Sequence, residues 1–281
     1  MRGFSLLELM VSSAVLFVVV GGAVNYLGLV TQRSRAEQTK VDLTQEGREF
    51  VDEFERDIHQ AGYPGCTMFN TIGFGGCAAN FNNLNIAAGL AYVSNTRIIF
   101  EGDVDGDGVV DSIQYELVDS AGAWPPAGTC PCTIRRSQVA KAGVWPVAPL
   151  LQPTNWSQEV QNVVNSGVPG GTTMYGGGLP ISGNVLFGGG AITNDAYYAA
   201  VTTFKDFPVF SAYDQNGTVI ALPVDNTTAA GQAILSGNSP TGIKSIRITL
   251  NLLGSATAGY DSKTGVRPIV TLVGDGRRNN Y

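Results

Sequence analysis

The densest chemical signal lies mid-chain. Asp103-Val104-Asp105-Gly106-Asp107-Gly108-Val109-Val110-Asp111 puts carboxylates at positions 1, 3, 5 and 9 of a loop, with glycine at position 6. Hard oxygen ligands alternating around a glycine turn are what Ca²⁺ coordination asks for, and the Val109 carbonyl would serve at position 7. Position 12, where an EF-hand carries a bidentate Glu, is Gln114, and no helical pattern flanks the run. The spacing therefore predicts a strand-flanked calcium loop with Asp103, Asp105, Asp107, Val109 and Asp111 as ligands. Glu116 and Asp119 are further carboxylates that could complete the shell. Like charges this close repel one another unless a cation sits among them. The competing reading is a solvated acidic turn. Few bidentate ligands imply a weak site, suited to extracellular calcium.

The cysteines Cys66, Cys77, Cys130 and Cys132 allow three pairings. A Cys66–Cys77 bond would close one loop and contribute about 2–3 kcal/mol by the chain-entropy account. Cys130 and Cys132 would project to the same side of a strand, and a bond between them would be strained. A crossed pattern, each loop cysteine with one strand cysteine, stays open beside the first. The spacing is poor for a four-thiolate zinc site. His59 is the one histidine and reads as an exposed helical residue. No nucleophile–base constellation accompanies it, so the expectation is a non-enzymatic protein.

A third feature is Glu8, the one charged residue between Phe4 and Val30 (FSLLELMVSSAVLFVVVGGAVNYLGLV). As a helix this stretch would run about 40 Å, enough to cross a hydrocarbon core of about 30 Å. An acid inside such a span costs about 2–3 kcal/mol at the bilayer centre and less toward an interface. Glu8 either snorkels to the headgroups or awaits a cation. A cut after Gly3 would supply one: the new Phe4 ammonium of a neighbouring copy, paired with Glu8 at low dielectric. Gly21-Gly22 would weaken the helix by about 1 kcal/mol each. Read from the residues alone, they are ordinary membrane glycines.

The elements that position these groups follow from periodicity. Leu43, Gly47, Phe50, Phe54, Ile58 and Ala61 recur at spacings of three and four, one stripe of a helix continuing from the apolar run. Glu49, Glu53 and Asp57 interleave with Arg48 and Arg56, which predicts a solvated, ion-paired face. Gly62-Tyr63-Pro64-Gly65 ends the helix. Strands are expected at 97–101, 112–118, 132–138, 208–213, 218–222, 244–253 and 266–273, with a hairpin turn at Asp214-Gln215-Asn216-Gly217. No long helical pattern separates them, so the sheet should be mostly antiparallel. The Gly-rich run between Asn165 and Asp195 reads as a long exposed loop.

Composition agrees. The chain has 281 residues, 44% hydrophobic and only 14% charged, with a formal net charge of −6. That balance speaks against a nucleic-acid binder, which needs cations to displace counterions. Thirty-six glycines without a Gly-X-Y period are not collagen-like.

The segment Gly3-Phe4-Ser5-Leu6-Leu7-Glu8-Leu9 resembles the N-terminal signal of type IV pilins and type II secretion pseudopilins. REFVDEFERDIHQAGY (48–63), PVFSAYDQNG (208–217) and the Arg277-Arg278-Asn279-Asn280 tail are similar to the PilW group of minor pilins. The leader would be Met1-Arg2-Gly3, short and with one cationic side chain. The resemblance implies cleavage after Gly3 by a prepilin peptidase, N-methylation of Phe4, and Glu8 as the assembly contact. It implies a pilin-like α+β fold in which a long N-terminal helix packs on a mostly antiparallel sheet. The expected parts are leader 1–3, membrane and filament-core helix 4–30, amphipathic continuation 31–61 and β-rich domain 62–281. Implied partners are other pilins, the inner-membrane assembly platform and, before assembly, membrane lipid. The implied location is first the inner membrane, as a single-pass protein, and then the pilus surface. A pseudopilin of a secretion piston is the alternative, since both share this plan.

Overall fold

The computed structural model describes residues 5–65, 68, 83–119, 121–124, 126, 132–142, 155–165, 207–237, 239–254 and 269–278. Helix α1, Leu6–Gln60, is continuous for 55 residues, or about 82 Å. Ser5 precedes it in extended conformation, and it stops at Ala61, after which Gly62 adopts φ +88°. From Leu6 to Val30 its residues are exposed apart from a half-buried Ser13, and a Cβ at Gly21 or Gly22 would meet nothing within 4 Å. Burial begins at Leu43 and follows the expected stripe through Gly47, Phe50, Phe54 and Ile58.

Among the described residues ten strands form one sheet: β1 (Leu90–Val93), β2 (Arg97–Gly102), β3 (Asp111–Val118), β4 (Cys132–Ala140), β5 (Trp156–Val163), β6 (Phe210–Tyr213), β7 (Val219–Ile220), β8 (Val224–Asp225), β9 (Ser245–Leu253) and β10 (Ile269–Arg277). The spatial order is β7-β6-β9-β5-β4-β3-β2-β1-β8, with β10 also on β9, and every pairing is antiparallel. The architecture is α+β, with the second half of α1 laid across β10, β9 and β5. A short helix α2, Ala229–Ser236, is capped by Thr228 at its N-terminus and by left-handed Gly237.

Helix and sheet meet around an aromatic cluster. Phe54 stacks on Phe210 at 5.6 Å and meets the edge of Tyr115 at 5.5 Å, and Phe50 meets Tyr115 at 5.8 Å. Tyr115, Phe54, Phe100 and Phe210 are fully buried, an arrangement that adds ring geometry to area burial. Glycines set the approach distance. A Cβ at Gly274 would lie 2.4 Å from Val51, and one at Gly47 would lie 2.1 Å from Leu272. This explains why β10 runs through Val-Gly-Asp-Gly-Arg rather than ending near Val273. The expected strand ended at 273, before these glycines; they are the floor on which α1 rests. Two helix carboxylates also cap strand backbone: Glu46 Oε1 accepts from Gln161 N–H (3.1 Å) and Glu55 Oε1 from Asp275 N–H (2.9 Å).

The polar side of the helix departs from expectation at one residue. Asp57 does not belong to a solvated face; it is 1% exposed. Its Oδ2 accepts from Tyr115 Oη–H (2.6 Å) and from Arg136 Nη2 and Nε (2.8 and 3.0 Å). Glu53 lies 3.6 Å from the same guanidinium. Tyr115 is pushed well above the usual phenol range, first by burial and then by the Asp57 charge. Burial also raises Glu53, reinforced by Glu159 and opposed by Arg136. The helix is thereby bolted to β3 and β4 by charge as well as by packing.

Candidate functional site

The acidic run forms the hairpin loop between β2 and β3, where Gly102 pairs with Asp111. Gly106 and Gly108 take φ of +76° and +85°, the left-handed conformations that fold the loop back on itself. Asp103 accepts at Oδ1 from Gly106 N–H (2.8 Å) and at Oδ2 from Gly108 N–H (3.1 Å). Asp105 Oδ1 accepts from Asp107 N–H, and Asp107 Oδ1 accepts from Val109 N–H at 2.7 Å. One carboxylate oxygen each from Asp103, Asp105 and Asp107 lies within 4.8 Å of the others. Carboxylate oxygens accept more than one partner, so these turn bonds orient the groups and leave lone pairs for a cation.

Asp111 stands at the start of β3, buried, and joins the triad through a residue that spacing did not reveal. Gln138 of β4 donates from Nε2 to Asp111 Oδ2 (2.6 Å) and to Asp105 Oδ2 (3.1 Å). Burial raises the Asp111 carboxyl above its usual value; the Gln138 bond opposes this, and the charges of Asp105, Asp107 and Asp103 add to it. Val109 contributes its N–H to the loop, and its side chain is half exposed.

The loop is latched to the end of α1. Asp103 N–H donates to Tyr63 O and Gly62 N–H to Glu101 O, both at 2.8 Å. The Gln60 amide, oriented by its hydrogen-bond network, donates to the carbonyls of Asp103 (3.1 Å) and Val104 (2.9 Å). A Cβ on Gly102 would lie 2.6 Å from Gln60 O, so the contact is backbone on backbone.

Two reserve ligands suggested by the sequence are elsewhere. Glu116 is five strand positions from Asp111, about 17 Å along β3. It is fully buried between Arg97 and Arg135, with Arg135 Nε donating at 2.7 Å. Those guanidiniums stack on Trp124 (3.2 Å) and Trp156 (4.2 Å). Burial lowers the Arg97 pKa against the opposing pull of Glu116. Asp119 instead closes the turn after β3, accepting from Ala121 and Ala123 N–H at 2.9 Å. Gln114 donates to Glu116 and takes no part in the loop. A second buried pair, Lys141 with Glu101 at 2.7 Å, fixes the strands beside it.

At the other end of the molecule Glu8 occupies the first turn of α1, exposed, its N–H donating to Ser5 O (3.0 Å). The helix dipole favours an acid there. Gly3 and Phe4 lie outside the described residues. So do Cys66, Cys77, Cys130 and the glycine-rich run from 166 to 195. Cys132 opens β4, fully buried, and among the described residues no cysteine is a free thiol. His59 is exposed in the last turn of α1, where a cationic side chain suits the helix dipole. Helix α1 is long and apolar enough to cross a membrane.

No protein-family model, curated protein or solved structure matches the chain.

Proposed function

We propose that this chain is a filament subunit, a minor pilin of the type IV pilus class, anchored in the inner membrane before assembly and carrying its sheet domain outside. One observation carries the reading. A single unbroken helix is divided into an apolar half whose side chains are exposed and a half bolted to a sheet. Burying a Val, Leu or Phe side chain stabilises by about 1.5–3 kcal/mol, so the free half calls for lipid or other helices around it. Glu8 is its sole charge, four residues after Phe4 in sequence. Cleavage after Gly3 would put an ammonium there, and the acid of one subunit would pair with the amine of the next. Other pilins, the assembly platform and the prepilin peptidase are the partners this mechanism requires.

The 103–111 loop is, in the same reading, a calcium site of the exposed domain. Asp103, Asp105 and Asp107 would bind the ion, with Asp111 and Gln138 behind them and Val109 offering its carbonyl. Because the loop is latched to the end of α1, ion binding would stiffen the junction of helix and sheet. Cys132 would be held in a disulfide with one of the other three cysteines.

The test is mass spectrometry of the protein recovered from sheared surface fibres. A mature N-terminus at methylated Phe4 is expected. An intact Met1 on a protein absent from fibres would overturn the proposal.

A further inference from the structure

The face of β6, β9 and β10 turned away from α1 holds a cleft of about 450 Å³. Register builds it. Tyr213 and Arg277 flank Ser245 on either side, and one pair further along Arg247 lies between Ser211 and Asp275. Asp214, Gln215 and Gly217 of the following turn and Lys244 complete the lining.

Lys244, Arg247 and Arg277 against Asp214 and Asp275 leave the lining one net positive charge, on a chain of net charge −6. Asp214 Oδ1 is engaged by the N–H groups of Asn216 and Thr218, both at 2.8 Å. The Lys244 ammonium donates to a neutral partner, the Gly237 carbonyl. Arg247 is ion-paired with Asp275 at 3.4 Å, the two side chains 44% and 37% exposed, and its guanidinium lies over the Tyr213 ring at 4.8 Å and 3.5 Å from the Tyr213 hydroxyl. Arg277 is exposed, and no acid among the described residues lies within ion-pair distance of it. Arg247 and Arg277 are diagonal neighbours on one face of the sheet, about 7–8 Å apart at the backbone. Such planar forks pair with a carboxylate through two hydrogen bonds at once.

The rest of the lining narrows the ligand. No aliphatic side chain is present; Tyr213, Gln215 and Ser245 offer a phenol, an amide and a hydroxyl. Apolar surface comes from the Tyr213 ring and the stems of Lys244, Arg247 and Arg277, and a bare phosphate would leave the phenol, amide and hydroxyl unused. A compound with both a carboxylate and a set of hydroxyls would satisfy them. The volume lies in the range of small-molecule sites, about 300–1,000 Å³.

We propose that this cleft binds a uronic-acid unit of an acidic saccharide, its carboxylate held between Arg247 and Arg277 and its hydroxyls by Ser245, Gln215 and Tyr213. The inference stands apart from the filament reading. Calorimetric titration of the full chain in detergent micelles tests it, in calcium-free buffer so that the acidic loop cannot bridge the sugar. Digalacturonate should bind saturably and at least about ten-fold tighter than maltose, inorganic phosphate or an Asp-Glu dipeptide. Arg277→Gln, at an exposed position, should weaken it about ten-fold or more with an unchanged melting temperature. Absence of saturable heat, equal binding of phosphate or dipeptide, or undiminished binding by an Arg247→Gln/Arg277→Gln double variant would each overturn the proposal.

Discussion

Replacing Asp57 with alanine tests whether charge, and not only packing, holds the helix to the sheet. The substitution strands Arg136, whose side chain is 13% exposed, and leaves the Tyr115 hydroxyl without its acceptor. Removing one partner of a buried ion pair costs about 3–5 kcal/mol, and an orphaned hydroxyl adds about 1 kcal/mol or more. Against this, Glu53 remains 3.6 Å from the guanidinium and can take over part of the pairing. The expected loss is therefore about 2–4 kcal/mol, a fall in melting temperature of roughly 4–16 °C for a domain of this size. Thermal and urea unfolding of the full chain in detergent, followed by tryptophan fluorescence and circular dichroism, would measure it. Trp124 and Trp156 stack on Arg97 and Arg135 in the same sheet, so they report on its integrity. An Asp57→Leu/Arg136→Met/Tyr115→Phe variant should recover most of the loss, because apolar replacement of a whole buried network is often close to neutral. If Asp57→Ala stayed within about 0.5 kcal/mol of the parent, the size of an ordinary surface substitution, the bolt would be a packing contact and no more.

Three further outcomes are expected. Glu8→Ala should leave membrane insertion intact while incorporation into filaments falls, as read by immunoblotting membranes and sheared fibres; normal incorporation would refute the pairing mechanism. Millimolar calcium should raise the melting temperature of the full chain, and Asp105→Ala/Asp107→Ala should abolish both that rise and the heat of calcium binding. Because Asp111 has a folded-state pKa above its unfolded value, its contribution to stability is fully present below the ordinary carboxyl pKa and is lost as pH rises through the raised one. In calcium-free buffer Asp111→Asn should therefore lose less stability than the parent between pH 4 and pH 7. A parallel pair of stability–pH curves would count against the raised Asp111 carboxyl, which burial first and the neighbouring carboxylates second hold up.

Much of the molecule is readable from local pattern. A helix declares itself through spacings of three and four and a strand through alternation, since both depend on neighbours in the chain. That is why α1, its buried stripe from Leu43 to Ile58, the strands β2, β3, β4, β6 and β9 and the triad of Asp103, Asp105 and Asp107 could be placed beforehand. Strand β5 carries no clean alternation, and a bulge with Asn162 at φ +60° interrupts its pairing, so it escaped. Strands β1 and β8 are too short to show a period.

Other features depend on groups far away in sequence. Asp57 looks identical to its solvated neighbours until Arg136, 79 positions later, arrives on β4. Gln138 becomes part of the acidic loop only because β4 pairs with β3, and that same ladder carries Glu116 away from the loop to Arg97 and Arg135. Gly274 and Gly276 are strand residues because a helix from the other end of the chain needs their missing side chains. Residue type and local spacing were enough to mark α1, strands β2, β3, β4, β6 and β9 and the acidic loop. Which polar groups lose water, and which cation each then meets, was decided only when the sheet and α1 closed on one another, because desolvation and Coulomb attraction act through space and not along the chain.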